Sequence, residues 1–147
     1  MPEPRKKLQP ASKRMLVFVL AALIIAAVLI WIFAGREAAP PVTEHDFEIG
    51  HIEWSIDGYP AKVLKENTFT LDITGADGKP LTGAGLDVKL DMLAMLCGDV
   101  DFRLAEISPG NYTGVGIPLM PGTWKATLTL ETNGQIYKIE RLLQAVY

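Results

Sequence analysis

The sequence predicts an all-β domain, an immunoglobulin-like β-sandwich of about seven strands, carried behind one N-terminal transmembrane helix. Three observations carry that expectation. Residues Met15 to Phe33 form an apolar run without a single charge. Beyond that run, apolar residues recur with period two, the mark of half-buried strands. Glycine and proline turn signals separate the alternating segments.

The N-terminal part divides into three. Residues 1–14 read as a basic cytoplasmic segment, with Arg5, Lys6, Lys7, Lys13 and Arg14 set against one acid, Glu3. Residues 15–34 read as the membrane helix, because about 20 helical residues cross a hydrocarbon core roughly 30 Å thick. Basic residues beside such a helix stay on the cytoplasmic side. The expectation is a single-pass cell-membrane protein whose C-terminal domain is exterior or periplasmic. A cleaved signal peptide is the competing reading. Its apolar region is about 7–15 residues and ends at a small-residue site, whereas Trp31, Ile32 and Phe33 stand where small residues are needed. Residues 35–46 read as a linker, since Pro40 and Pro41 favour extended geometry and resist helix.

Residues 47–147 read as the sandwich, about 100 residues, enough for one core and not for two domains. In Thr68–Thr74, Phe69, Leu71 and Ile73 share one face. In Ala84–Met92 the inner face is Ala84, Leu86, Val88, Leu90 and Met92. In Trp124–Glu131 it is Trp124, Ala126, Leu128 and Leu130. Shorter strand candidates are His51–Ile56, Phe102–Ile107, Tyr112–Pro118 and Tyr137–Val146. Turns are expected at Asp77-Gly78-Lys79-Pro80, Ser108-Pro109-Gly110-Asn111, Pro121-Gly122 and Asn133-Gly134, the last reading as a tight hairpin. Alternating strands with short turns argue for a sandwich. Cys97 is the one cysteine in the chain, so no internal disulfide forms.

From Glu37 onward there are sixteen acids against eight bases, a charge of about −8. An acidic domain has no electrostatic attraction to nucleic acid. A phosphate-cradling glycine loop and a Gly-x-Ser-x-Gly elbow are both missing, and the two histidines, His45 and His51, precede the sandwich and lie far from Cys97 in sequence. No enzyme is expected. Asp99 and Asp101 flank Val100, but acids at that spacing are usually solvated, and no oxygen-rich calcium loop is visible.

The remaining chemistry is sulfur. Met92, Met95 and Cys97 fall in Met92-Leu93-Ala94-Met95-Leu96-Cys97, and Met120 precedes the Pro121-Gly122 turn. Thioether and thiolate are soft ligands that select Cu(I) over hard cations. A strand ending at Met92, its following loop and the Met120 turn would converge at one end of the sandwich, with His45 or His51 available to add a nitrogen. The bland alternative is core packing. Met92 is in phase with an inner face, methionine fills irregular apolar gaps, and free cysteine is among the most buried residue types.

Asp77-Gly78-Lys79-Pro80-Leu81-Thr82-Gly83-Ala84 resembles the opening of the YtkA-like and FixH-like exterior domains. Pro109-Gly110-Asn111-Tyr112 resembles their later turn, and Gly122-Thr123-Trp124 their closing strand. The similarity spans about Phe69 to Leu130. It implies an immunoglobulin-like fold, a bacterial source, copper handling, and a part in assembling copper-containing terminal oxidases. It implies that Met92, Met95 and Met120 occupy the family's methionine positions. Cys97 departs from it, standing where a methionine is expected, and the loop lacks the family's proline. Two functional expectations follow. One is a membrane-tethered copper-binding accessory protein with Met92, Met95, Cys97 and Met120 as ligands and a membrane-embedded oxidase as client. The other is a metal-free interaction module that supports assembly of a membrane complex.

Overall fold

A computed structural model of the chain describes residues 10–34, 39–94 and 98–147, with side chains in the helix given over Met15–Ile30. It divides into two compact units, Met1–Glu37 and Ala38–Tyr147.

In the first unit, helix α1 covers Pro10–Ala34, 25 residues, which at 1.5 Å per residue is about 37 Å. Leucine, alanine and methionine favour helix, and no interior glycine or proline interrupts it. From Met15 to Ile30 its side chains are exposed on every side. Among the described residues, no helix is long and apolar enough to cross a membrane. The stretch with described side chains, Met15–Ile30, would reach about 24 Å.

The second unit is all-β. Its nine strands are β1 (Val42–Phe47), β2 (Gly50–Ile56), β3 (Ala61–Lys62), β4 (Asn67–Gly75), β5 (Gly85–Met92), β6 (Val100–Ser108), β7 (Asn111–Gly116), β8 (Gly122–Thr132) and β9 (Gln135–Val146). They hydrogen-bond in the order β1-β2-β4-β7-β6-β5-β8-β9-β3. The ladder folds over at β6. Val100 to Leu104 pair with β5, and Ala105 to Ser108 pair with β7. The result is an immunoglobulin-like sandwich with one corner closed by a shared strand. Every pairing is antiparallel except the short parallel pair of β3 with β9.

The alternation seen in the sequence becomes the core. Phe69, Leu71 and Ile73 from β4, Leu86, Val88 and Leu90 from β5, and Trp124, Ala126, Leu128 and Leu130 from β8 are buried together with Trp54. Their neighbours in sequence face outward, as period two requires. The Asn133-Gly134 hairpin forms as expected. Both residues have positive φ, 51° and 75°, and Thr132 pairs directly with Gln135, the geometry of a primed two-residue turn.

Two strands depart from the sequence expectation. The stretch read as linker, 35–46, contains most of β1, which pairs with β2 from Val42↔Ser55 to Phe47↔Gly50. It is an edge strand whose inward face carries only Thr43, His45 and Phe47, so its alternation is weakly apolar. β3 has two residues, too few for a period to show.

One core position is charged. Arg141 lies on β9 in phase with Ile139 and Leu143 and is 4% exposed. Its guanidinium donates to Trp54 O and Pro40 O, both at 2.7 Å, and stacks 5.6 Å from the Trp54 ring centroid. Burial pushes its pKa down to about 10, so it remains a cation at neutral pH. It ties β9 to β2 and to the segment ahead of β1, across the sandwich edge that no shared strand closes.

Candidate soft-metal site

The strand directions define two poles. β1 begins, β2, β5, β7 and β9 end, and β4, β6 and β8 begin at one pole, here called proximal. The Asp77-Gly78 and Asn133-Gly134 turns lie at the other, distal pole.

Met92 and Met120 both lie at the proximal pole. Met92 ends β5 directly opposite Trp124 of β8. Trp124 is fully buried, and its indole N–H donates to Met120 O at 2.9 Å. The two methionines therefore share one tryptophan, one across the ladder and one through the turn. Gly122 makes the approach possible. Its φ is +141°, and a Cβ there would meet the Met92 methyl at 3.0 Å. Leu93 N–H donates to Thr123 O at 3.2 Å, which extends the β5–β8 ladder one step past Met92. Both methionines are half-buried and pack against the core, so Met92 meets the inner-face expectation only in part.

Met95 and Cys97 lie outside the described residues. The loop that carries them leaves at Ala94 and returns at Gly98, where a Cβ would sit 3.8 Å from Leu119 Cδ1, next to Met120. Its returning end is thus against the Met120 turn.

The histidines belong to the sandwich and stand apart from the sulfur. His45 and His51 lie on β1 and β2, which corrects their placement ahead of it. His51 pairs with Thr74 near the end of β4, at the distal pole. His45 points inward beside Ile52 and contacts Thr43 Oγ1 at 3.1 Å. The antiparallel register carries both rings away from Met92 and Met120, so neither adds a nitrogen there. Burial, then the charges of Arg141 and His51, lowers the His45 pKa. The hydrogen bond from His51 to Asp46, 2.7 Å long, raises that of His51 despite some desolvation, aided by Asp46, Glu44 and Glu53.

The acids offer no alternative cation site. Asp99 is held at 2.8 Å by Lys89, which also reaches Asp91 at 3.5 Å. The Lys89 hydrogen bond and charge lower the Asp99 carboxyl and raise the lysine in turn. Among the described residues, no three His, Cys, Asp or Glu side chains are grouped to hold a metal ion. A groove of about 390 Å³ runs over the outer face of β5 and β6 between Lys89 and Arg103. Arg103 is forked onto Asp87 there, with its closer bond 2.9 Å, so the groove wall carries internally matched charge. It contains none of the sulfur residues.

The proximal pole also holds a feature that spacing did not reveal. Asn67 is 4% exposed and clamps the turn before β4. Its Oδ1 accepts from Lys62 N at 2.6 Å, and its Nδ2 donates to Lys62 O, Lys65 O and Gly116 O at 2.9, 2.8 and 3.3 Å. That clamp holds Leu64 at φ 58°, a conformation rare for a bulky residue. The hint in the sequence was an asparagine opening an apolar strand, a residue type suited to bonding nearby backbone.

No known protein family and no curated protein matches the sequence. Three solved structures resemble the fold. The ZirS C-terminal domain aligns with a TM-score of 0.51 at 17% identity, over 76% of this chain and 84% of that one. The Lin-41 filamin domain gives 0.47 at 14% identity, over 63% and 91%. Domains 4 and 5 of the S-layer protein SbsC give 0.44 at 14% identity, over 72% and 54%. At these identities the likeness concerns the fold alone, and it agrees with an immunoglobulin-like sandwich.

Proposed function

We propose that this chain is a membrane-tethered, exterior copper-binding accessory protein that carries Cu(I) to a copper-containing membrane oxidase. The observation that carries this reading is the meeting of Met92 and Met120 around Trp124 and Gly122. Two thioethers on one half-buried pole form a soft, uncharged donor pair that suits Cu(I) and rejects Mg²⁺ and Ca²⁺. Met95 and Cys97, on the loop that returns beside Met120, would complete the set, with the Cys97 thiolate as the strongest donor. The YtkA-like and FixH-like resemblance supports the same ligands. The apolar surface of Met15–Ile30, the backbone helix continuing to Ala34 and the basic residues before it support a single-pass anchor with the sandwich outside.

A second reading is a metal-free interaction module in which the same residues are core. The packing of Met92 and Met120 against the buried cluster favours it. Alkylation of Cys97 in the folded, full-length chain separates the two. On the copper reading the thiol reacts in the metal-free protein and one equivalent of Cu(I) protects it. A thiol that reacts only after denaturation, with no effect of copper, establishes the packing reading instead.

A further inference from the structure

The exposed apolar side chains of the sandwich are unevenly placed. Leu64, Leu93, Val115, Ile117, Leu119 and Tyr147 are all exposed and all lie at or beside the proximal pole. At the distal pole the comparable side chains are Ile107 and Ile136. Single exposed apolar residues are ordinary on a protein surface, but a grouped set marks an interaction surface.

These residues are adjacent in space and rigidly held. Leu64 N–H donates to Pro118 O at 2.9 Å, which sets Leu64 beside Leu119. Val63 N–H donates to Val146 O at 2.9 Å, which brings Tyr147 to the same turn. Leu64 is 68% exposed and Tyr147 89%. Leu64 keeps its left-handed backbone although its side chain gains no core contact from it. Strain of that kind in a clamped turn points to a use for the projecting side chain. Lys62 and Lys65 flank Leu64 and are themselves exposed. Leucine tips, an aromatic ring and lysines on flexible stems are the residues that settle at a membrane–water interface. Asp57 and Glu66 belong to the same pole, so attraction to anionic lipid is not what the surface offers.

Chain connectivity selects the occupant. β1 begins at this pole, opposite Ser55. Only residues 35–41 separate it from the end of α1 at Ala34, and seven residues reach at most about 25 Å. If α1 is anchored, the pole from which the tether leaves is confined beside the bilayer. At such effective concentrations a weak interfacial affinity is sufficient to populate the bound state.

We propose that the proximal pole is a membrane-contact surface, with Leu64, Leu93, Leu119 and Tyr147 seated in the interfacial layer of the bilayer that α1 spans. The inference rests on the anchor reading of α1. It orients the sandwich with the Met92–Met120 end toward the lipid, where a membrane-embedded client would meet it.

The test uses the full-length, copper-free chain in phosphatidylcholine nanodiscs, with Cys97→Ser as background. Nitroxide labels are attached singly through Leu23→Cys, Leu64→Cys, Leu119→Cys and Ile136→Cys. Collision with oxygen, which concentrates in lipid, is compared with collision with a water-soluble nickel complex. The proposal expects the oxygen-to-nickel ratio at Leu64 and Leu119 to lie between the lipid value at Leu23 and the aqueous value at Ile136. A lipid value at Leu23 with aqueous values at Leu64 and Leu119 overturns the docking and leaves the anchor intact. An aqueous value at Leu23 overturns the anchor, and the docking with it. Shielding of Leu64 and Leu119 from both reagents means that protein covers the pole, and this also overturns the proposal.

Discussion

Replacing Asn67 with alanine should be among the most damaging single changes in the sandwich. The side chain makes four hydrogen bonds from a site only 4% exposed. Three lie between 2.6 and 2.9 Å and the fourth, to Gly116 O, is 3.3 Å. At roughly 1 kcal/mol for each good bond and less for the long one, the loss is about 3 kcal/mol. For a domain of this size that corresponds to a fall in melting temperature of roughly 15 °C. Guanidinium unfolding of the full-length chain in mild detergent, followed by fluorescence of the buried Trp54 and Trp124, measures it. Asn67→Asp supplies the internal control. It keeps the acceptor for Lys62 N–H but sets a carboxylate against three carbonyl oxygens. It should cost more than alanine at neutral pH, and recover as the pH falls below about 4 and the acid protonates. A loss under about 1 kcal/mol for Asn67→Ala, or an Asn67→Asp variant as stable as the parent at neutral pH, would show that the clamp does not hold the turn.

Further expectations concern other single contacts. Tyr112→Phe should cost about 1–2 kcal/mol, because the phenol donates to Leu81 O at 2.8 Å and accepts from Ala84 N at 3.1 Å; an unchanged denaturation midpoint would refute it. Leu64→Gly should stabilise the domain by roughly 0.5 kcal/mol, since it relieves a left-handed leucine and removes no core contact; a clear loss would mean that Leu64 packs. The histidines should give opposite pH slopes. The His45 pKa is lowered from 6.5, so the unfolded chain binds its proton more readily, and stability falls as the pH drops below 6.5. The His51 pKa is raised from 6.5, so its contribution is complete below 6.5 and is lost as the pH rises through the folded value. His45→Gln should flatten the acid side of a midpoint-against-pH curve and His51→Asn the alkaline side; parallel curves for all three proteins would contradict both assignments.

Most of the fold was legible because one physical rule produced it. Where both sheets bury a face, a strand must alternate, and β4, β5 and β8 announce themselves through Phe69, Leu71 and Ile73, Leu86, Val88 and Leu90, and Trp124 to Leu130. β1 was hidden because an edge strand with Thr43, His45 and Phe47 inward carries little apolar signal, and Pro40-Pro41 ahead of it suggested a tether. Arg141 was hidden by type. A cation in phase with Ile139 and Leu143 looks like an exception, whereas its carbonyl partners, Trp54 O and Pro40 O, come from segments distant in sequence. The sulfur residues were legible as a cluster, and the register brings Met92 and Met120 to one tryptophan. The same register carries His45 and His51 elsewhere, which spacing along the chain had no means of showing.

The central claim is that the proximal pole binds Cu(I) through sulfur. Titration of the reduced, full-length chain with Cu(I) against a chromophoric chelator tests it most directly. The account predicts one equivalent held with a dissociation constant below about 1 μM, at least about 8 kcal/mol of binding, weakened stepwise by Met92→Ala, Met120→Ala and Cys97→Ala and unchanged by His51→Asn. Binding weaker than micromolar, or binding that survives removal of all three sulfur side chains, would contradict it.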